Sequence, residues 1–461
     1  MIRIVMIVTM LLTIVPAVAG ESDLIQPYSK NPYYWQYEGE PVMLLGGSKD
    51  DNLFQIPDLK AHLDLINKIG GNYIRNTMSS RDEGNVQPFQ KTDSGKYDLN
   101  KWNDEYWQRF NNMLQWTSDR DIIVQIEIWA FHDFYGEWEE FLPWNPKYNI
   151  NYSAAETQLQ TGSYGSYWET RHDFFYTVPK LHNDLAVLKY QKAFVDKLLS
   201  FSLNYGNVLY CMTNEIFTQY SPEWGWYWAN YIENKAARAG VKVQIAEMYQ
   251  NHDVTHQQHR ATLDHPEIFD FIDISQNSRQ RNDQHWDRLQ WVRDYIADNP
   301  RPVNHTKTYG SDRVEWTDGD EHGIERFWRD IIGGAASVRF HRPPSGIGLN
   351  ERAQAHIKSA RMLLEKIDIF HSKPDVEHRL LSGREEDEAY LTLIPNQEYA
   401  LCFPQGGSVR LDLTETSGEF HIQWLNIERS KWLQEESVQG GKKIILEVPQ
   451  DGKNWAAVIV K

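Results

Sequence analysis

The sequence predicts an α/β chain built as a (β/α)8 barrel of the TIM class, followed by a small antiparallel β-sandwich, and three observations carry that reading. From Pro41 to Phe370 short β-branched runs alternate with longer amphipathic stretches, and eight such units can be counted. After His371 the helical periodicity stops and strand-like runs take over, punctuated by the turn pairs Gly406-Gly407 and Gly440-Gly441. Of 461 residues, about 440 follow an N-terminal leader, enough for one large barrel and a small module.

The leader comes first. MIRIVMIVTMLLTIVPAVAG has an early Arg3, an apolar run and the small-x-small end Ala17-Val18-Ala19, the pattern of a secretory signal cleaved near Ala19. Polar sequence begins at once with Glu21, Ser22 and Asp23, and no later run is apolar for long enough to cross a bilayer. The mature chain is therefore expected to be exported, periplasmic or secreted, with no membrane insertion. Residues 1–20 go to the leader, 21–370 to the barrel and 371–461 to the sandwich.

Barrel strands are expected at 41–46, 72–76, 121–129, 207–214, 241–247, 268–276, 302–309 and 336–341. Helical patterns occupy, for example, 99–119, 184–204, 221–239, 283–298, 323–333 and 349–369, with Asp98 placed to cap the first. One long insertion, 131–183, follows the third strand and is crowded with aromatics such as Phe131, Phe134, Trp138, Trp144 and Phe174. A loop that long either serves the site, roofing the C-terminal rim of the barrel, or is a structural cap packed on its own side chains. The sandwich strands are expected at 389–394, 399–403, 408–413, 419–425, 443–448 and 454–460.

Charge and composition narrow the function. A formal net charge of −17 argues against nucleic acid or anionic membrane as a partner, since both reward basic surfaces. Eighteen Trp and 24 Tyr exceed what a core usually requires, and flat rings stack on the apolar faces of sugars. The two cysteines, Cys211 and Cys402, fall in different predicted domains, so no disulfide framework is indicated. Nothing in the sequence sets the oligomeric state.

Glycosidic cleavage needs one carboxyl to protonate the leaving oxygen and a second that attacks carbon or activates water. By period-two alternation Cys211, Thr213 and Glu215 share a face of strand four, and Glu215 ends it directly after Asn214. An eight-unit barrel with Asn214-Glu215 at that place resembles the large clan of (β/α)8 glycoside hydrolases whose acid/base glutamate follows an Asn at the end of strand four. The layout is also similar to that of exported bacterial glycosidase-like proteins with a short C-terminal β-sandwich labelled collagen-binding. The resemblance implies that Asn214 holds a sugar hydroxyl and Glu215 is the general acid/base, with retention of configuration.

The sequence also departs from that clan, whose nucleophile is a glutamate ending strand seven. Here that strand reads Pro302-Val303-Asn304-His305-Thr306-Lys307-Thr308-Tyr309-Gly310, with no carboxylate. Either the strand register differs and Glu315 comes in from the following loop, or another acid serves. Glu247 is the first choice, because Val243, Ile245 and Glu247 alternate along strand five beside strand four. Asp133 and Glu127 are the reserves; for each of these the competing reading is an acid satisfied by an arginine inside the barrel.

The expected mechanism has Glu215 protonate the leaving oxygen, kept protonated by burial, while Glu247 acts as nucleophile or as base for water. Asn214, Arg75, Trp129, His132, Asp133, Gln276, Lys307, Tyr309, Arg339 and His341 are the expected substrate contacts. Arg75, Lys307, Arg339, His341 and Arg342 gather at the rim, which points to an acidic glycan, uronic or sulfated, or else to simple neutralisation of buried acids. No cofactor is expected. His252, His256, His259 and His265 lie close together but lack a companion-glutamate motif, so they read as loop histidines rather than metal ligands. Two alternatives stay open: a lyase on a uronic-acid polymer with Lys307 or Tyr309 as base, and a non-catalytic carbohydrate-binding barrel.

Overall fold

The structure, a computed structural model, describes residues 24–166, 168–343, 345–385, 388–450 and 452–461. The expected leader lies outside the described residues. Eight parallel strands form the barrel: β1 (Leu44–Gly47), β2 (Tyr73–Thr77), β3 (Ile123–Trp129), β4 (Val208–Thr213), β5 (Gln244–Ala246), β6 (Ile272–Asp273), β7 (Val303–Thr308) and β8 (Ser337–Phe340). Their ladder runs β5-β4-β3-β2-β1-β8-β7-β6, and every barrel strand is buried throughout. That two-sided burial is why these segments read as apolar runs rather than as strict alternation. Asp270 bridges the seam between β5 and β6: its backbone N–H donates to Ile245 O at 2.9 Å, and its side chain accepts from Ile245 N at 2.9 Å.

The outer ring consists of α1 (Leu59–Lys68), α2 (Asp104–Ser118), α3 (Leu185–Ser202), α4 (Glu223–Arg238), α5 (Asn282–Tyr295), α6 (Asp320–Ile332) and α7 (Glu351–Leu364). Asp184 caps α3 through Val187 N, and Asn350 caps α7 through Ala353 N. α2 departs from expectation. It begins at Asp104 with Asn103 as its cap, accepting from Glu105 N, whereas Asp98 lies in a strand, Tyr97–Trp102, that pairs with Phe89–Lys91. Residues 97–102 carry enough aromatic and apolar side chains to pass for helix, yet they form a hairpin whose Tyr97 and Leu99 are buried.

From Lys373 onward the chain is antiparallel. One sheet contains Tyr390–Ile394, Glu398–Phe403, Trp455–Val460 and Glu419–Asn426; a second contains Leu381–Ser382, Ser408–Asp412 and Lys443–Glu447. Alternation along the larger sheet divides its side chains between two cores. Leu401, Phe403, Trp424 and Ile459 face the second sheet. Ala400, Cys402, Leu425, Ile427 and Val458 belong to the barrel's core instead. Bidentate Arg352–Glu428 and Arg384–Asp283 pairs clip the two parts together, with closest contacts of 2.6 Å each.

Candidate active site

All eight strand-to-helix connections converge on one cavity of about 550 Å³ at the C-terminal rim, the end where barrels of this class place their chemistry. Asp51 follows β1, Arg81 follows β2, and His132 and Glu137 come from the insertion after β3. Asn214 and Glu215 follow β4, Gln250 follows β5, and Gln276 and Arg279 follow β6. Lys307 and Tyr309 close β7, and His341 and Arg342 follow β8.

Glu215 is presented by backbone conformation rather than by strand alternation. β4 ends at Thr213, and Glu215 has φ +64°, a left-handed setting uncommon for a residue with a side chain and frequent at functional sites. Its carboxylate is buried and fully engaged. Oε1 accepts from Lys307 Nζ at 2.7 Å, from Gln276 Nε2 at 2.9 Å and from the Tyr309 hydroxyl, while His132 Nε2 lies 3.1 Å from Oε2. Burial alone would raise this carboxyl, but the Lys307 charge and the donors around it hold it well below the usual carboxylate range. The expectation that burial keeps Glu215 protonated is therefore corrected: an ammonium and three further polar groups outweigh desolvation. Just before it, Asn214 lines the cavity, and its Oδ1 is buried with no hydrogen-bond partner among the described residues.

Strand seven has the expected register and carries no carboxylate. A ladder irregularity between His305 and Thr308 re-aims this stretch, and Lys307 is the side chain that reaches Glu215. Ser278 fixes the local backbone: its hydroxyl donates to Lys307 O at 2.8 Å and accepts from Tyr309 N at 3.1 Å. Glu315, the alternative supplier, is exposed on a short 3-10 turn and does not line the cavity.

Glu247 does not meet Glu215 across this cavity. It is buried beneath the rim, where Oε1 accepts from Thr213 N at 2.8 Å and Met248 N at 3.0 Å, and it packs against Gly225 of α4. β5 stops at Ala246, so the alternation that would have aimed Glu247 at the opening has ended. Burial pushes its carboxyl up to about 8.

The remaining expected contacts divide. His132, Gln276, Lys307, Tyr309 and His341 line the cavity with Asn214 and Glu215. Arg75, Trp129, Asp133 and Arg339 do not. Arg75 lies below the floor, paired with Asp51 and with both oxygens of Glu127, so Glu127 is satisfied by an arginine inside the barrel. Arg339 spends its guanidinium on Thr306 O at 2.8 Å and on the Ser48 hydroxyl. Asp133 accepts from the Ser79 hydroxyl at 2.7 Å and pairs with Arg81 at 3.2 Å. Trp129 packs against Phe174, Phe194 and Trp228 behind the strand, so its ring is core rather than sugar platform. The loop histidines also find local roles: His259 Nε2 meets Asn251 O, and His256 accepts from Gln258 N.

No family model matches the chain, and no curated protein does. Its fold is shared with solved structures. A glycoside hydrolase family 5 protein from Bacteroides vulgatus superposes with TM-score 0.62 over 96% of this chain and 94% of its own, at 14% identity. A structure described as a glycoside hydrolase gives 0.62 over 95% and 97%, at 12% identity. A family 5 mannosidase from Rhizomucor miehei gives 0.51 over 76% and 99%, at 13% identity.

Several lining residues are not among the expected substrate contacts: Asp51, Arg81, Glu137, Trp168, Gln250, Arg279 and Trp316. The insertion proves to be cap and wall at once. Phe131, Phe134, Phe174 and Phe175 pack on one another, while Glu137 and the exposed Trp168 face the cavity. Trp316 carries Arg279 stacked 3.9 Å from its ring centroid. Asp51 is the electrostatic hub: burial opposes its charge, but Arg75, His341, Arg342 and Arg81 hold it well below the usual carboxylate range.

Proposed function

We propose that this chain is an exported glycoside hydrolase, cleaving glycosidic bonds in a carbohydrate bound across the barrel rim. The observation that carries the reading is the Glu215 carboxylate, ionised and held by four polar side chains in a cavity to which every strand-to-helix loop contributes. An electron-rich carboxylate fixed by hydrogen bonds is what attack on an anomeric carbon requires, and the same bonds ease its departure later. Glu215 is thus the nucleophile of a retaining reaction rather than its proton donor. Trp168 and Trp316 at the mouth, both substantially exposed, offer rings for sugar faces, and Asn214 Oδ1 accepts a ring hydroxyl.

The substrate in this proposal carries a carboxylate or sulfate. Most of the rim cations are already spent: Lys307 on Glu215, and Arg81 and Arg342 on Asp51. Arg279 differs, because it pairs with no carboxylate among the described residues, and its Nε is buried without a hydrogen-bond partner. Burial disfavours its charge, so an anionic group delivered by the ligand would be stabilised there.

A product screen on neutral, uronic and sulfated polysaccharides, comparing wild type with Glu215→Gln, tests the reading. New reducing ends in wild type that vanish in the variant support it. Unsaturated sugar products would assign a lyase instead, and binding with no turnover would make the barrel a carbohydrate-binding module.

A further inference from the structure

A glycosidic oxygen leaves readily only when a carboxyl hands it a proton. Glu215, paired with Lys307, does not hold one. Two other carboxyls line the cavity among the described residues, Asp51 and Glu137. Asp51 is enclosed by the guanidinium groups of Arg75, Arg81 and Arg342, which favour its ionised form. Glu247 is buried outside the cavity and has no route to a substrate.

Glu137 meets the requirement. It follows the short helix Asp133–Gly136 in the insertion, faces the same cavity as Glu215, and has one oxygen, Oε2, buried with no hydrogen-bond partner among the described residues. With one oxygen buried and unpartnered, the charged form is poorly solvated there, which favours a protonated carboxyl in the cavity wall. We infer that Glu137 is the general acid/base of the reaction, supplied by the insertion rather than by a strand end; this rests on the glycosidase reading above. Burial, reinforced by the nearby Asp133 charge and only partly offset by Arg81, raises its carboxyl to about 7. Two carboxyls pushed in opposite directions are the arrangement that assigns acid and nucleophile.

The step balances as follows. The Glu137 proton passes to the glycosidic oxygen as the C1–O bond breaks, its electron pair going to that oxygen, and a Glu215 oxygen bonds to C1. Water then attacks C1 and gives its proton to the Glu137 carboxylate. The C1–O bond to Glu215 breaks with the pair returning to Glu215, and both side chains regain their starting states.

The test uses wild type, Glu137→Gln, Glu137→Ala and Glu215→Gln on 4-nitrophenyl and 2,4-dinitrophenyl glycosides of common hexoses, pentoses and hexuronic acids, and on the natural polysaccharides found active. In kcat/KM, which reports the first step, Glu137→Gln should lose about 10²-fold to 10⁴-fold on polysaccharide but less than about tenfold on dinitrophenyl glycosides, whose leaving group needs no proton, while kcat on the latter falls because water loses its base. Adding azide to Glu137→Ala should yield a glycosyl azide of retained configuration. Retained kcat/KM on the dinitrophenyl substrates also shows that the variant folds. Equal losses on all leaving groups, with Glu215→Gln still inactive, would overturn the role of Glu137 and leave the glycosidase reading standing. Wild type inert on every substrate would overturn both.

Discussion

Lys307 Nζ stands 2.7 Å from Glu215 Oε1, so an ammonium rather than a second carboxylate faces Glu215 from the strand-seven rim. Both groups are buried, and breaking such a pair from one side leaves an uncompensated charge, at about 3–5 kcal/mol. A depressed carboxyl contributes stability that is fully present above its ordinary value and is lost as pH falls toward the depressed one. Lys307→Met removes the main attraction and leaves the desolvation. The acidic limb of the kcat/KM profile should therefore move up by about one pH unit or more, and the Tm should fall. An unmoved limb would show that Lys307 does not set the ionisation of Glu215.

Glu247 and Glu215 separate cleanly under the same substitution. The Glu247 carboxyl, raised to about 8 by burial, holds its proton at neutral pH, and a glutamine can still accept from Thr213 N and Met248 N. For an acid raised on folding, the native state binds more protons than the unfolded state between its ordinary value and the raised one. Stability falls across that window as pH rises. Glu247→Gln should therefore leave activity within about threefold of wild type. It should also flatten the decline of Tm expected of wild type between pH 5 and 8. Loss of turnover comparable to that of Glu215→Gln would restore Glu247 to the chemistry.

Much of this architecture was legible because burial on both faces writes the barrel strands as apolar runs, and sandwich strands such as Glu398–Phe403 show clear turn boundaries. Asn214, Glu215, Lys307 and Tyr309 were also within reach, since they stand at or near strand ends, where an eight-unit count places the rim. What failed was extrapolation of alternation past the last paired residue. Glu247 falls beyond the end of β5, and Glu215 owes its aim to a positive φ that no periodicity reports; Trp129, still paired with Thr213 as the last residue of β3, packs against the helix layer instead. Glu137, Arg279, Trp168 and Trp316 sit in loops and short turns, where position depends on tertiary packing and no local repeat marks a side chain as facing a cavity.

On the proposed acidic-glycan reading, Arg279 carries the charge preference. Arg279→Gln keeps an amide donor and removes the cation, so a substrate acid group loses one charge-assisted hydrogen bond, worth about 1.5–3 kcal/mol. KM for uronic or sulfated substrates should rise about 10-fold to 100-fold with kcat little changed, and added salt should raise KM less than it does for wild type. Neutral oligosaccharides should bind as before. Equal losses on neutral and acidic substrates would assign Arg279 to packing on Trp316 instead.

The floor of the cavity depends on how closely β1 and β2 approach. Gly46 pairs with Tyr73 on one side and Arg339 on the other, and a methyl group added there would sit 1.9 Å from the Tyr73 carbonyl oxygen. Neither backbone can yield without parting the barrel, so Gly46→Ala should cost about 3 kcal/mol, at the upper end of overpacking. Displacement of β2 would also carry Arg75 away from Asp51, the hub that holds Arg81 and Arg342 at the rim. The variant should thus lose thermal stability and, when assayed well below its Tm, also show a raised KM. A fall in Tm with unchanged KM would mean that the rim is positioned independently of the β1–β2 spacing.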